Sequence, residues 1–456
     1  MQRNWSDLAL PIYLALCLVL GGASAAGVVA NGALQLVGLA LIALTLWRGS
    51  SRPSGDASAS AVRPLLWLIG IAVAWIIAQI IPLPPGIWQA LPGRDFVVAD
   101  DALFGFDNVW RPLSMQPSLT LISATSLLPP LAILLLTFRA STVGRARACW
   151  TIIATALISS VLGILQLFQS AGQGAYFYEV TNYGATVGFF SNANHLATLF
   201  LIATLLSAEI PFGPPRARTT GPAVWPIVRW ALVAFFGINV IVNGSVAGMG
   251  LLLAVAAYIA LRQERLRRSV GTSKWAIGGI GIVLALAIAA FVWRFSGELS
   301  TFADTSVAGE DRLEFAINAL AMISASFPVG YGLGAFRHMY RDFENPLTVT
   351  STYVNHLHND YLELVVEFGA VGIVLLALFA WWFARRVQWL FKTRHAMQPA
   401  LYALSMGIVI VAAHSLVDYP LRTAAIAAVF AFACGVLAVP LPASAPRHQA
   451  RSRGGR

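Results

Sequence analysis

Long apolar runs recur along the whole chain and are separated by short polar segments. A helix needs about 20 apolar residues to cross the hydrocarbon core of a bilayer, and the runs approach that length. We predict membrane-spanning helices at residues 8–26, 30–47, 64–81, 119–138, 149–168, 193–210, 227–242, 246–262, 275–295, 361–384, 399–416 and 422–440. The pattern predicts an all-α polytopic membrane protein with one large, partly helical outer loop.

Four segments interrupt this pattern and suggest the organisation of the chain. Residues 48–62 are rich in Ser, Gly, Pro and Ala and predict a flexible linker, and residues 441–456 predict a basic, disordered tail. Residues 82–118, with Trp88 and several prolines, predict an outer segment along the membrane interface. Residues 296–360 form the long outer loop. We therefore expect nine helices in residues 1–295, the loop at 296–360, three helices in 361–440 and the tail at 441–456.

Composition and charge exclude other classes of protein. Of 456 residues, 58% are hydrophobic and 11% charged, whereas soluble domains carry about a quarter charged residues. The net charge of +10 would suit a nucleic-acid partner, but its distribution argues against one. With a cytoplasmic N-terminus, 23 of the 30 cations fall on the inner side and 16 of the 20 acids on the outer side. This asymmetry predicts that both termini are cytoplasmic.

The three cysteines, Cys17, Cys149 and Cys434, all lie within apolar runs. This position predicts small core residues and not a disulfide framework or a metal site.

The large outer loop contains most of the unusual polar residues. It includes a predicted amphipathic helix at 311–326, the segment GYGLGAF at 330–336, and three arginines, Arg312, Arg337 and Arg341. Guanidinium groups bind phosphate oxygens in a bidentate manner, which predicts an anion site. The alternative is that these arginines pair with acids close by in the sequence.

His358 has a more specific setting in this loop. Asp360 and Glu363 predict a capping pair, so His358 would precede a helix N-terminus, whose dipole favours the neutral imidazole. A neutral imidazole can act as general base toward a hydroxyl. The alternative is a surface histidine, and the same applies to His356. The spacing of these two histidines could suggest a metal, but no third ligand stands at a suitable spacing, so we expect none.

Further polar residues lie at the outer ends of predicted spans. Asn194 and His195 begin the span at 193–210, where they either join helices or serve function. His414, Asp418 and Arg422 lie at the final outer turn. Ionisable groups at a membrane edge are candidates for function.

The order and spacing of these segments resemble the O-antigen ligase superfamily, which includes related polysaccharide polymerases and protein glycan ligases. The resemblance lies in Arg312 on the outer helix, then GYGLGAF, then HNDYLELVVEFGAVG at 358–372. SNANHLA at 191–197 and HSLVDYPL at 414–421 are similar to further family segments. Matching segments cover roughly residues 180–430.

The resemblance implies a metal-independent glycosyltransferase without a cofactor, in the inner membrane of a bacterium. It would move a glycan from an undecaprenyl diphosphate carrier to an acceptor hydroxyl on the periplasmic face. The acceptor would be lipid A-core, a growing polysaccharide or another hydroxyl compound, and membrane lipids would surround the protein. By analogy, Arg312 would hold the diphosphate and His358 would activate the acceptor. The candidate substrate-binding residues are Arg337, Arg341, Glu363, Glu367, His356, Asn194, His195 and Arg422.

Two departures from the family pattern stand out. A mid-chain segment that usually carries an arginine contains none here, at residues 243–248, and Ala316 replaces a frequent tryptophan. Either Arg337, Arg341 or Arg422 substitutes for the missing arginine, or the donor is held differently.

The sequence leaves two questions of function open. Ligase and polymerase differ only in the acceptor, and HNDYLELVVEFG slightly favours the ligase. A transporter of lipid-linked sugars or anions is the alternative of another class. It is disfavoured because a transporter places ionisable groups near the bilayer midplane, and these spans are nearly free of them.

Overall fold

The chain is almost entirely helical in a computed structural model that describes residues 4–24, 28–48, 56–106, 108–169, 174–211, 224–270, 302–346, 354–392 and 397–439. The helices are α1 (Ser6–Leu20), α2 (Val29–Trp47), α3 (Asp56–Ile80), α4 (Pro85–Trp88), α5 (Asp95–Phe104), α6 (Pro117–Thr125), α7 (Leu128–Arg139), α8 (Thr142–Gln166), α9 (Ala193–Glu209), α10 (Val224–Asn243), α11 (Val246–Val270), α12 (Phe302–Ser326), α13 (Phe336–Met339), α14 (Asp360–Phe368), α15 (Ala370–Lys392), α16 (Gln398–His414) and α17 (Ala424–Ala438). Strands β1 (Pro82–Leu83) and β2 (Arg111–Pro112) pair antiparallel. Short 3-10 helices cover Tyr340–Asp342 and Pro420–Arg422.

Helices lie at eleven of the twelve predicted spans, and the twelfth, 275–295, lies outside the described residues. Within the described residues, six segments are long and apolar enough to cross a membrane: Val29–Trp47, Val62–Ile80, Pro117–Arg139, Thr142–Gln166, Val224–Asn243 and Ala370–Lys392. Five shorter apolar helices accompany them: Ser6–Leu20, Ala193–Glu209, Val246–Arg262, Gln398–His414 and Ala424–Ala438. The all-α, multi-pass membrane architecture is confirmed, while a total of twelve spans stays a prediction.

Several predicted boundaries are wrong. The run at 119–138 divides into α6 and α7, because Pro129 and Pro130 occupy the first turn of a new helix. The run at 361–384 also divides, because Gly369 ends α14 with a left-handed φ of 59°. A Cβ there would collide with the carbonyl oxygen of Pro328, so only glycine fits.

The extramembrane segments also differ from the prediction. Helix α3 begins at Asp56, so the predicted linker at 48–62 is too long. The predicted outer helix at 311–326 begins earlier, at Phe302. The tail at 441–456 lies outside the described residues. Cys17, Cys149 and Cys434 are buried and unpaired, which confirms their prediction as core residues.

Helix α9 forms the centre of the bundle. Every residue from His195 to Ala208 is buried, because α8, α10, α11 and α16 all pack against it. A second, smaller apolar cluster lies where α12 packs against α14. Its members come from α12, from residues 331–340 and from residues 357–366: Ala319, Met322, Tyr331, Ala335, Phe336, Met339, Tyr340, Leu357 and Val366. The site described next lies where this cluster meets the N-terminal end of α9, which carries His195.

Candidate active site

The segment 356–359 presents two histidines immediately before α14. Asn359 is the N-cap, since its side chain accepts from the backbone N–H groups of Tyr361 and Leu362, both at 3.0 Å. The predicted capping pair of Asp360 and Glu363 is therefore wrong, because Asn359 leaves both carboxylates free for tertiary contacts. His358 has a φ of 54°, the one left-handed non-glycine residue among those described. A bulky residue in this conformation is strained, and such residues cluster at functional sites.

His358 forms a pair with Asp418, which lies 60 positions later in the chain. The Nδ1 atom of His358 lies 3.2 Å from Oδ1 of Asp418. The Asp418 side chain is fully buried, whereas that of His358 is 30% exposed. The backbone N–H of Tyr419 donates to Oδ1 at 2.9 Å, and the side chain of Asn192 donates to Oδ2 at 3.5 Å. The carboxylate is thus fixed from several directions.

Electrostatics determine which nitrogen of His358 carries the proton. Burial disfavours the charged form of Asp418, but the hydrogen bond from His358 and the nearby His195 outweigh it, so the pKa of Asp418 is well below its usual range. An ionised carboxylate only accepts hydrogen bonds, so Nδ1 of His358 must donate. When the imidazole is neutral, Nε2 is then its acceptor nitrogen and is suited to receive a proton.

Tyr419 packs against three imidazoles at once. Its ring centroid lies 4.5 Å from that of His356, 4.8 Å from that of His358 and 5.2 Å from that of His195. The predicted residue His195 is fully buried, and neither of its ring nitrogens has a hydrogen-bond partner. The fold therefore places His195 directly behind the His358–Asp418 pair.

Two further polar contacts lie next to the His358–Asp418 pair. The predicted residue Asn194 is half-buried and accepts a hydrogen bond from the hydroxyl of Ser245 at 2.6 Å. The Nδ1 atom of His414 lies 2.7 Å from the hydroxyl of Thr198. Helices α9, α11 and α16 are thus joined by polar contacts next to the pair.

Arg422 lies among three buried carboxylates of α14. Its Nη1 atom donates to Oε2 of Glu367 at 3.1 Å and lies 3.5 Å from Oε1 of Glu363. Its Nε atom lies 3.5 Å from Oδ1 of Asp360. These three charges outweigh the burial of the guanidinium and raise the pKa of Arg422, so it stays charged. The structure thus gives Arg422 partners within the protein, and diphosphate binding by Arg422 stays a prediction.

Glu363 connects this ion cluster to the histidines. Its Oε1 atom lies 2.9 Å from Nδ1 of His356, and its Oε2 atom accepts from the backbone N–H of Leu357 at 3.0 Å. Glu363 therefore orients His356, whereas Asp418 orients His358. Glu367 instead accepts from the backbone N–H of Gly334 at 2.7 Å and ties the GYGLGAF loop to α14.

The charge of Asp360 predicts a specific pH dependence of stability. Burial raises the pKa of Asp360 to about 6, against the opposing charge of Arg422, so the folded state binds this proton more tightly than the unfolded chain. Ionising Asp360 therefore lowers stability as the pH rises from about 4 to about 6. We expect Asp360→Asn to remove this loss, so that its Tm, relative to wild type, increases between pH 4 and pH 7 in thermal unfolding.

Glu363→Gln is the matched control, for which the expected change of Tm with pH has the opposite sign. Burial disfavours the Glu363 carboxylate, but Arg422 and His356 outweigh it and lower its pKa. The stability from this group is present above a pH of about 4.3 and is lost as the pH falls further. The Tm of Glu363→Gln, relative to wild type, should therefore decrease as the pH rises toward about 4.3 and stay constant above it. A constant Tm difference for Asp360→Asn between pH 4 and pH 7 would contradict the assignment.

Arg312 lies on α12, on the helix face that approaches His358 through Phe315. Phe315, one helical turn later on α12, stacks near His358 with ring centroids 6.4 Å apart and an interplanar angle of 21°. Residues three apart share a helix face, so Arg312 points to the same side. Arg312 is exposed and interacts electrostatically with His414. A guanidinium and a general-base candidate therefore lie on neighbouring elements of the chain.

Arg337 and Arg341 lie on the adjacent short helices and flank His338. Burial and these two charges lower the pKa of His338. Tyr340, between the two arginines, packs its ring against Phe315 at 6.0 Å and accepts a hydrogen bond from Asn318 at 3.0 Å. Arg337 and Arg341 thus lie on the segment that contacts α12 through Tyr340. Within the described residues, no group of three or more His, Cys, Asp or Glu side chains is arranged to hold a metal ion.

Tyr419 is a site residue that sequence reasoning missed, and Asp418 was a candidate for function without an assigned partner. The signal for Asp418 was its spacing of four positions from His414 at a membrane edge. The sequence alone does not reveal that the Asp418 carboxylate pairs with the imidazole of His358 and not with that of the nearer His414.

Residues 231–377 match a protein-family model described as O-antigen ligase. The matched range contains Arg312, Arg337, His358 and Glu363, and it ends before Asp418. No curated protein matches the chain. The match confirms the resemblance to the O-antigen ligase and polymerase superfamily. It indicates an enzyme of polysaccharide assembly, of the ligase or polymerase type.

Proposed function

We propose that this chain, a relative of the O-antigen ligases and polymerases over residues 231–377, transfers a glycan from a lipid diphosphate carrier to an acceptor hydroxyl. The observation that carries the proposal is the His358–Asp418 pair, whose imidazole is partly exposed and faces the side of α12 that carries Phe315 and Arg312. Glycan transfer needs a base for the acceptor and positive charge for the leaving diphosphate. Both lie here on adjacent outer elements.

In the proposed reaction, Nε2 of His358 takes the proton of the acceptor hydroxyl as its oxygen attacks the anomeric carbon. A new carbon–oxygen bond forms, the bond from that carbon to the diphosphate breaks, and the diphosphate leaves with the electron pair. Asp418 holds the imidazole in the correct tautomer and stabilises the imidazolium that forms. Arg312 stabilises the charge on the diphosphate, so the reaction as proposed needs no metal.

The remaining assignments extend this proposal. Arg337 and Arg341 are weaker candidates for contacts with the same diphosphate, and His356 and Asn194 are candidates for contacts with substrate. The donor would be glycan on undecaprenyl diphosphate, and ligase transfer to a hydroxyl such as lipid A-core is slightly favoured over polymerisation. The charge asymmetry of the loops favours an inner-membrane protein with cytoplasmic termini and the site on the periplasmic face.

The decisive experiment is lipid analysis of a strain that lacks the protein. Long glycan chains that accumulate on undecaprenyl diphosphate would identify a ligase, and single repeat units would identify a polymerase. Complementation with wild type should restore the normal pattern, whereas His358→Ala should not. Unchanged lipid-linked glycan, or material trapped on the cytoplasmic side, would contradict the enzyme proposal and favour a transporter.

Arg312→Lys is expected to lower the rate of transfer about 10- to 100-fold. Lysine keeps the charge but loses the fork that binds two oxygens, and a hydrogen bond to a charged group is worth about 1.5–3 kcal/mol. Transfer of a radiolabelled glycan in vesicles would measure the effect. Arg341→Ala serves as comparison and should lose less activity, since Arg341 is the weaker candidate for contact with the diphosphate. Wild-type rates for Arg312→Lys would show that charge alone suffices.

A further inference from the structure

The segment between α3 and α6 carries a cluster of exposed apolar side chains, which we call the apolar tip. Its members are Leu103, Phe104, Phe106, Val109 and Trp110. Leu103 is 81% exposed, Phe104 73% and Trp110 60%. Exposed apolar surface of this kind marks contact with a non-aqueous partner. Trp88, which the sequence suggested for the interface, is instead buried and donates its indole N–H to the carbonyl of Pro112 at 2.8 Å.

The apolar tip is held close to the end of a candidate membrane span. Trp110 directly precedes Arg111, which pairs with Leu83 in the two-stranded sheet. Leu83 lies three residues beyond Ile80, where the span Val62–Ile80 ends, and three residues reach at most about 11 Å. A headgroup layer is about 5–8 Å thick. The base of the tip therefore lies at the membrane surface.

The chemistry of the tip suits lipid. Phenylalanine and tryptophan are typical of membrane interfaces, where apolar rings enter the acyl boundary. Residues 103–110 contain no Lys or Arg, so binding must depend on apolar burial and not on attraction to anionic headgroups. The exposed acid Asp95 lies at the opposite end of α5, away from the tip.

The tip is joined rigidly to the candidate active site. Arg94, at the start of α5, is fully buried and donates to the carbonyls of Leu113 at 2.7 Å and Gly330 at 3.0 Å. The backbone N–H of Met115 donates to the carbonyl of Tyr331 at 2.8 Å. The same loop then reaches the ion cluster of α14 through Gly334. Hydrogen bonds thus connect the segment that carries the tip to the loop that contacts α14.

We propose that the apolar tip inserts into the outer leaflet and sets the height of the His358–Asp418 pair relative to the lipid headgroups. The donor diphosphate lies in that plane, so a fixed height brings its leaving group to Arg312. The positioning of the His358–Asp418 pair rests on the proposed function, whereas the insertion itself does not.

Depth measurements test the insertion directly. Because all three native cysteines are buried, a fluorescent thiol label will attach only at an introduced cysteine. In lipid nanodiscs, a label at Phe104→Cys should be quenched by lipids that carry a nitroxide on the upper acyl chain, and shielded from iodide in water. The matched control, Asp95→Cys, should show the reverse. A label at 104 that iodide quenches as strongly as at 95 would overturn the proposal and leave the tip to a protein partner.

Activity measurements test the consequence. The double variant Phe104→Ser/Trp110→Ser should transfer glycan about tenfold more slowly than wild type in nanodiscs, but at the wild-type rate in detergent micelles, where no bilayer defines a height. Asp95→Ser/Asp100→Ser is the matched control and should lose nothing in either medium. Equal losses in both media, or none in nanodiscs, would overturn the role in positioning. If the wild-type protein has no transferase activity, but the label at Phe104→Cys is buried in lipid, the proposed function is refuted and the insertion stands.

Discussion

Replacing His358 by alanine is expected to lower the rate of glycan transfer about 10²- to 10⁴-fold, which is the range that a positioned general base contributes. The side chain is partly exposed, so the variant should fold and express as wild type. Transfer from a purified lipid-linked donor in proteoliposomes would measure the loss. A fully active His358→Ala protein would remove this residue from the mechanism.

A substitution of Asp418 provides a second test of the same mechanism. Asp418→Asn keeps the shape of the side chain but removes the charge that selects the tautomer of His358, so we expect a loss approaching that of His358→Ala. The two changes act on one unit, so the double variant should be no slower than His358→Ala alone. Losses that multiply in the double variant would show that the two residues act independently. His356 contacts Glu363 and not Asp418, so His356→Ala should lose less activity.

Replacing Arg422 by leucine is expected to lower the free energy of unfolding by about 3 kcal/mol or more. The change leaves Asp360, Glu363 and Glu367 as buried carboxylates without their common cation, and breaking a buried ion pair from one side costs about 3–5 kcal/mol. Thermal or denaturant unfolding in detergent would measure the loss. Arg422→Lys is the matched control and should lose less, because it retains the charge.

The pH dependence separates this electrostatic cause from lost packing. The destabilisation of Arg422→Leu should shrink as the pH falls toward 4, because protonation removes the unpaired carboxylate charge. A loss that stays constant with pH would assign the effect to the missing alkyl chain. An unchanged free energy of unfolding would show that the cluster contributes nothing to stability.

Hydrophobic runs located the helices, because each run must be shielded from water along its length and a helix satisfies its own backbone. The same signal failed at residues 361–384. Both sides of Gly369 are apolar there, and the break depends on the approach of Pro328 from the distant loop. Apolar content alone therefore predicts that a segment is helical but not where two helices meet.

The sequence by itself determined the fold class and the positions of most helices, and it pointed to Arg312 and His358 as candidates, because hydropathy and charge are properties of local segments. Only the tertiary structure decided the partner of each ionisable group. Asp360 and Glu363 predicted a local cap, yet they face Arg422, and His358 selects Asp418 at a separation of 60 positions. Burial makes an unpaired charge expensive, so the packing of α14 against the final outer turn, and not proximity in sequence, fixes which charges meet.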